Sequence, residues 1–199
     1  MAPSLTEWES FYVITGSSGA ALTGLMFVVI ALAADRIPPQ RQRPEAMAIY
    51  STPTLVHFSV VLLIAAMMSI PHQTMLTLSL GLGLSAAVGV GYTALNMIRM
   101  HRLDLYEAVL DDWIWHAILP FTAYLSLAAA AMLAARAAET AFFIVAGVVL
   151  LLLFIGIHNA WDVAIYTTMY RVDEAGGGAR AATGAAPTEP AATAPETAA

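Results

Sequence analysis

The sequence predicts an all-α fold, a polytopic transmembrane bundle of five helices with the N-terminus outside and the C-terminus inside. Three observations carry this. The 199-residue chain is 59% hydrophobic and 11% charged, too apolar to hide its side chains in one water-soluble core, so lipid must be the solvent. It divides into charge-free windows of the length a bilayer demands. Its arginines fall on alternate connections between those windows.

A hydrocarbon core about 30 Å thick needs roughly 20 apolar residues in helical form, with every backbone group bonded internally. Ser10 to Ala34, between Glu9 and Asp35, is the first such window and holds the run Leu25-Met26-Phe27-Val28-Val29-Ile30. Its flank Thr6-Glu7-Trp8-Glu9 is acidic and its apolar stretch is longer than a signal peptide's, so it should remain as a helix. Ala46 to Ile98 is too long for one crossing, and Pro71-His72-Gln73 near its middle reads as a helix stop and turn. Trp113 to Ala135 and Thr140 to Trp161 supply the fourth and fifth windows. The predicted spans are residues 10–34, 50–70, 74–98, 113–135 and 140–166, within a bundle covering 1–172.

Charge placement tests that count, because Arg accumulates in cytoplasmic loops. Arg36, Arg41 and Arg43 follow the first window, Arg99 and Arg102 the third, Arg171 and Arg180 the fifth; only Arg136 falls on the opposite side. Aromatic residues fit the same frame: Trp8, Phe11 and Tyr12 at the outer interface, and Trp113, Trp115, Trp161, Tyr166 and Tyr170 near the inner one. Between Arg99 and Asp112, Leu103, Tyr106, Val109 and Leu110 recur at helical spacing, which prolongs the third helix or lays a helix along the cytoplasmic surface. From Glu174 the composition turns to Gly, Ala, Thr, Pro and Glu, so residues 173–199 should form a disordered cytoplasmic tail.

Composition also excludes whole classes of function. The net charge is −6 and the basic residues are scattered, so no patch exists to neutralise phosphates and nucleic acid is not an expected partner. The absence of cysteine removes disulfides, thiolate metal sites and cysteine nucleophiles. Every basic residue is Arg and Ala is abundant, which suggests a GC-rich bacterial genome and hence the bacterial cytoplasmic (inner) membrane. No Gly-rich phosphate loop or His-Glu-x-x-His motif occurs, the loops are too short for a soluble catalytic domain, and an inverted repeat is not evident.

Helices in lipid associate by close packing, and small residues four apart let backbones approach. The first helix carries Gly16, Ala20 and Gly24 on one stripe; the third carries Thr77, Gly81, Ser85, Gly89 and Thr93. Both stripes are expected inside the bundle or in an interface with a homo-oligomer or partner membrane helices.

Intramembrane ionisable groups are costly enough to count as functional candidates. His57 in the second helix and His158 in the fifth lie about 12 Å from the cytoplasmic ends. Asp162 is one turn from His158 on the same face, Asn159 is beside it, and Asn96 and His116 sit near the inner ends of the third and fourth helices. An i,i+4 His and Asp pair lets the carboxylate fix the ring's tautomer, which suits a proton relay or the outer shell of a metal ligand. The plainer alternative is an interfacial helix end with Trp161 as anchor and Asp162 in water. For His57 the plain alternative is a neutral ring bonded near the carbonyls freed by Pro53, and His116, between two tryptophans, is expected to face headgroups. A polar pocket of His57, Asn96, His158, Asn159 and Asp162 opening inward is therefore expected; no catalytic residue, metal ligand set or cofactor is predicted.

Gly16-Ser17-Ser18-Gly19 resembles the Gly-x-Ser-Gly of rhomboid proteases, but Ser18 is about 12 Å below the outer face and His158 about 27 Å, beyond hydrogen-bond reach. Phe11-Tyr12-Val13-Ile14-Thr15-Gly16 through Ala20-Ala21-Leu22-Thr23-Gly24-Leu25-Met26-Phe27-Val28 and the segment His158-Asn159-Ala160-Trp161-Asp162 are similar to stretches of a group of small uncharacterised bacterial integral membrane proteins. That resemblance implies membrane topology and no activity. Three readings follow: passage of an ion, proton or small solute through the polar pocket; a membrane assembly subunit without transport or catalysis; and a haem- or metal-bearing membrane enzyme, which requires His57 and His158 to face each other.

Overall fold

A computed structural model describes residues 5–34, 44–102 and 113–183, with side chains described for 5–32, 52–101 and 113–165. The charge-free windows are helical where described apart from turns at 69–74 and 134–135, and no strand occurs among the described residues. A 3-10 turn at Leu5–Trp8 leads into α1 (Glu9–Ala34). Helix α2 is Pro44–Met68 and α3 is Met75–Arg102. A π-helical turn at Ile114–Ile118 precedes α4 (Leu119–Leu133), and α5 is Ala138–Thr183. Four stretches are long and apolar enough to cross a membrane: Leu5–Leu32, Met75–His101, Ile114–Leu133 and Ala138–Ile165. The second helix is 25 residues long, and its apolar described portion, Thr52–Met68, is shorter than those four.

Local chemistry sets the boundaries. Glu7 and Glu9 stand in the first turns, beside the positive end of the helix dipole. After α2 the chain turns at Pro71 and His72, the latter in the left-handed region with φ 55°, and Thr74 caps α3 by accepting the Thr77 N–H at 3.2 Å. Pro120 has no N–H for the helix ladder. The ladder just before it is widened, with the Leu119 N–H bonded to the Ile114 carbonyl five residues back.

The chain divides into two units, Met1–Ala164 and Ile165–Ala199, and the packing described here belongs to the first. In the second, the helix runs on to Thr183. Extending an existing helix adds one hydrogen bond per residue without a new nucleus, so polar, Ala-rich sequence can continue what the apolar span begins. The predicted tail at 184–199, the connection holding Arg36, Arg41 and Arg43, the surface segment at 103–112 and the side chains of Tyr166, Tyr170, Arg171 and Arg180 lie outside the described residues.

Glycine sets how closely the helices approach. On α1 the buried residues are Tyr12, Thr15, Gly16, Gly19 and Met26. A β-carbon on Gly16 would meet the Ala65 methyl at 2.8 Å, and one on Gly19 would meet the Phe58 carbonyl oxygen at 3.1 Å, so α1 lies backbone to backbone with α2. Ala20 and Gly24, expected on the same stripe as Gly16, are exposed. Steps of four advance about 40° around a helix with 3.6 residues per turn, so a strict four-residue ridge rotates off the contact face. The same drift turns Thr77 of α3 outward, while Gly81 is half-buried against Met67 and Ser85, Gly89 and Thr93 are buried. Gly89 lies under the ring of Tyr124 on α4, and Gly156 of α5 under the ring of Phe58 on α2. At the far end of α5, Phe142 and Phe143 pack edge-on against Trp8, with ring centroids 6.4 and 4.9 Å away.

These contacts predict which glycines are indispensable. Gly89→Ala or Gly156→Ala forces an aromatic ring out of place and should cost about 1–3 kcal/mol, the usual penalty of overpacking. Gly24→Ala, whose β-carbon meets nothing within 4 Å, should leave stability unchanged. Thermal unfolding in detergent, followed by tryptophan fluorescence, checks this; equal Tm values for all three variants would contradict the packing.

Candidate functional site

Buried polar residues occur on α2, α3 and α5 of the first unit, His57 of α2 among them. His57 is buried and its Nδ1 is 2.9 Å from the Tyr124 hydroxyl of α4, the two rings lying 5.8 Å apart. This partner replaces the expected carbonyl near Pro53. Tyr124 was not singled out in the sequence because an aromatic residue within an apolar helix reads as packing; the signal was Pro120 four residues before it, the same spacing as Pro53 before His57.

From this pair the neighbouring helices can be followed turn by turn. Gly89 of α3 lies under Tyr124, so Thr93 one turn on and Asn96 a second turn on occupy the same buried face. Gly156 of α5 lies under Phe58, and Asn159, three residues further, is fully buried. His57 Nε2, Thr93 Oγ1 and both amide atoms of Asn96 and of Asn159 are buried without a hydrogen-bond partner. Leaving a buried polar group unpaired costs about 1–3 kcal/mol, so each of these atoms is one that a hydrogen-bonding neighbour such as a buried water would stabilise.

His116 is buried, not turned to headgroups as expected. Its neighbour Trp115 packs edge-on against His158, with ring centroids 3.8 Å apart, which levels the start of α4 with His158 of α5. The π-helical turn at Ile114–Ile118 accounts for the discrepancy: the bulge shifts the faces presented by Trp115 and His116 relative to a regular helix.

The predicted i,i+4 pair forms. His158 Nδ1 lies 3.4 Å from Asp162 Oδ2, with side-chain exposures of 25% and 48%. Along α5, exposure thus falls from Asp162 through His158 to the fully buried Asn159, so polar groups are graded from open surface to interior. Of the candidate residues, His57, Asn96 and Asn159 lie in the buried layer, while His158 and Asp162 border it.

Among the described residues no three His, Asp or Glu side chains are grouped to hold a metal ion. The haem reading needs the His57 and His158 rings to face each other, whereas each is in contact with an aromatic neighbour, Tyr124 and Trp115 respectively. A separate cavity of about 390 Å³ at the other end is lined by Glu7, Trp8, Phe11, Glu139 and Phe143.

The His57 and Tyr124 bond should be measurable as an energetic coupling. Tyr124→Phe leaves a buried ring nitrogen unsatisfied and should cost about 1–3 kcal/mol, and adding His57→Leu should then cost less than His57→Leu does in the wild-type background. Denaturant unfolding of the four proteins of the cycle gives the coupling; strictly additive effects would mean that the two side chains do not interact.

Comparison with known protein families, with curated proteins and with solved structures finds no match for this chain.

Proposed function

We propose that the protein is an integral membrane protein of the bacterial cytoplasmic membrane that passes a proton, ion or small solute through the polar layer around His57. In this reading five helices cross the bilayer, with the N-terminus outside and the C-terminus inside. The large apolar side chains left on the surface, including Val13, Ile14, Phe27, Leu80, Leu84, Val88 and Phe154, support a lipid surround, since such a continuous apolar surface is not tolerated in water. The arginine distribution supports the orientation.

The observation that carries the reading is the set of partnerless buried atoms on His57, Thr93, Asn96 and Asn159. Polar groups at membrane depth persist where they line a hydrated path or a binding site. The graded exposure from Asp162 through His158 to Asn159 supplies an approach from the inner end. An imidazole beside a carboxylate can take up and release protons, and Asp162 at that approach would concentrate cations.

A second reading, a membrane assembly subunit, is favoured by the exposed small residues Ala20 and Gly24 on α1. It expects a second helix against that face. Oxidative cross-linking of a Gly24→Cys variant would then join two copies or a copy and its partner, in a chain that has no cysteine of its own.

Reconstitution into liposomes tests the lead reading. Proton entry read by an internal pH dye, cation entry read by a potential dye, and solute entry read by light scattering should show at least one flux above protein-free vesicles. That flux should fall in His158→Ala and Asp162→Ala. Absence of all three fluxes from correctly inserted, folded protein would overturn it.

A further inference from the structure

The helices that carry the His57–Tyr124 bond have an internal symmetry that their residue numbers disclose, although Thr93, Asn96 and Asn159 fall on Ala160, Val163 and Tyr92. His57 and Tyr124, which bond to each other, are 67 positions apart. The same shift carries Pro53 of α2 onto Pro120 of α4, Ser59 onto Ser126, and Gly89 of α3 onto Gly156 of α5. These matches are structural as well as nominal. Ser59 and Ser126 each donate to the carbonyl four residues back, both at 2.8 Å. Pro53 and Pro120 are both buried one turn before the bonded pair. Gly89 admits the ring of Tyr124 from the other hairpin, and Gly156 admits the ring of Phe58, next to His57. The buried face of α3, Leu78, Leu82, Ser85, Ala86 and Gly89, falls on Val145, Val149, Leu152, Leu153 and Gly156 of α5, all buried.

We infer that α2–α3 and α4–α5 are two copies of one helical hairpin related by a pseudo-two-fold axis running along the bundle, and that the polar layer on this axis is a binding site for a small uncharged solute carrying both hydrogen-bond donors and acceptors. A pair of equivalent residues that touch each other must lie on the axis relating them, which places it at the His57–Tyr124 bond. Repeat interfaces are where transported ligands bind in other duplicated membrane folds, including those whose axis lies along the membrane normal. The solute class follows from the lining. Thr93 supplies a hydroxyl, Asn96 and Asn159 a carboxamide each, and His57 one ring nitrogen, all buried and without protein partners. These groups donate and accept in equal measure. No Asp, Glu or Arg is buried among the described residues, so a full charge would enter without a counter-charge, at a high cost at membrane depth. The solute class rests on the passage reading above; the repeat does not.

Two experiments test this. In liposomes, urea and formamide should equilibrate faster through the wild-type protein than through protein-free vesicles, with no potassium, sodium or proton current. Asn96→Leu and Asn159→Leu, with folding verified by Tm, should each return the rate to that of protein-free vesicles. Ion current without neutral-solute flux would overturn the solute class and leave the passage reading standing, whereas no flux of any kind would overturn both. For the repeat, the cysteine-free chain accepts spin-label pairs at exposed sites. The distance from position 62 to position 147 should equal that from position 129 to position 80, because a two-fold axis exchanges the two pairs. Clearly unequal distances would overturn the symmetry.

Discussion

The hydrogen bond between His57 and Tyr124 is the constraint around which the bundle is arranged. It joins α2 to α4, and pairing a buried imidazole with a buried phenol offsets part of the cost of burying each. Everything next to the pair has adjusted to it. Gly89 must lack a side chain because the Tyr124 ring occupies that space, and Gly156 must lack one because Phe58, held beside His57, fills its place. Aromatic rings that reach into a neighbouring helix backbone fix the rotation of both helices, and with it the face that α3 and α5 turn inward. Thr93, Asn96 and Asn159 are buried because they follow those two glycines by one or two turns on the same faces.

Much of this order was legible in the sequence, since it depends on local rules. Charge-free windows bounded by acids and arginines become helices because a helix satisfies the backbone of a long apolar stretch internally, and Pro71-His72-Gln73 divides the long window because proline cannot continue a helix. The i,i+4 contact of His158 and Asp162 follows from helix geometry alone. What could not be read depends on rotation and register between helices. The stripe at Gly16, Ala20 and Gly24 looks continuous as text, yet the helix turns under it, and Gly19 meets α2 instead. The burial of His116 depends on a π-helical turn of five residues, which no periodicity in the apolar residues announces. Tyr124 was hidden for a different reason: its hydroxyl matters only through a residue 67 positions away.

The hairpin repeat also explains where the chain departs from symmetry. On α2, Phe58, Val61, Ala65 and Met68 are buried. Their equivalents on and just after α4 are Leu125, Ala128, Met132 and Ala135, of which Ala128 is half-buried and the rest are exposed, Met132 at 79%. The difference lies where α1 packs, since Gly16 meets Ala65 and Gly19 meets Phe58 and Val61. The odd fifth helix is thus an addition to a four-helix repeat, covering one side of one hairpin. The glycines of α1 are met by the Ala65 methyl, the Val61 side chain and the Phe58 backbone carbonyl, while the matching positions 125, 128, 132 and 135 are left largely exposed. Close to the axis the matches Pro53 with Pro120 and Gly89 with Gly156 persist. At the axis itself His57 faces Tyr124, and a ring nitrogen with a hydroxyl supplies an acceptor and a donor that close a hydrogen bond with no charge.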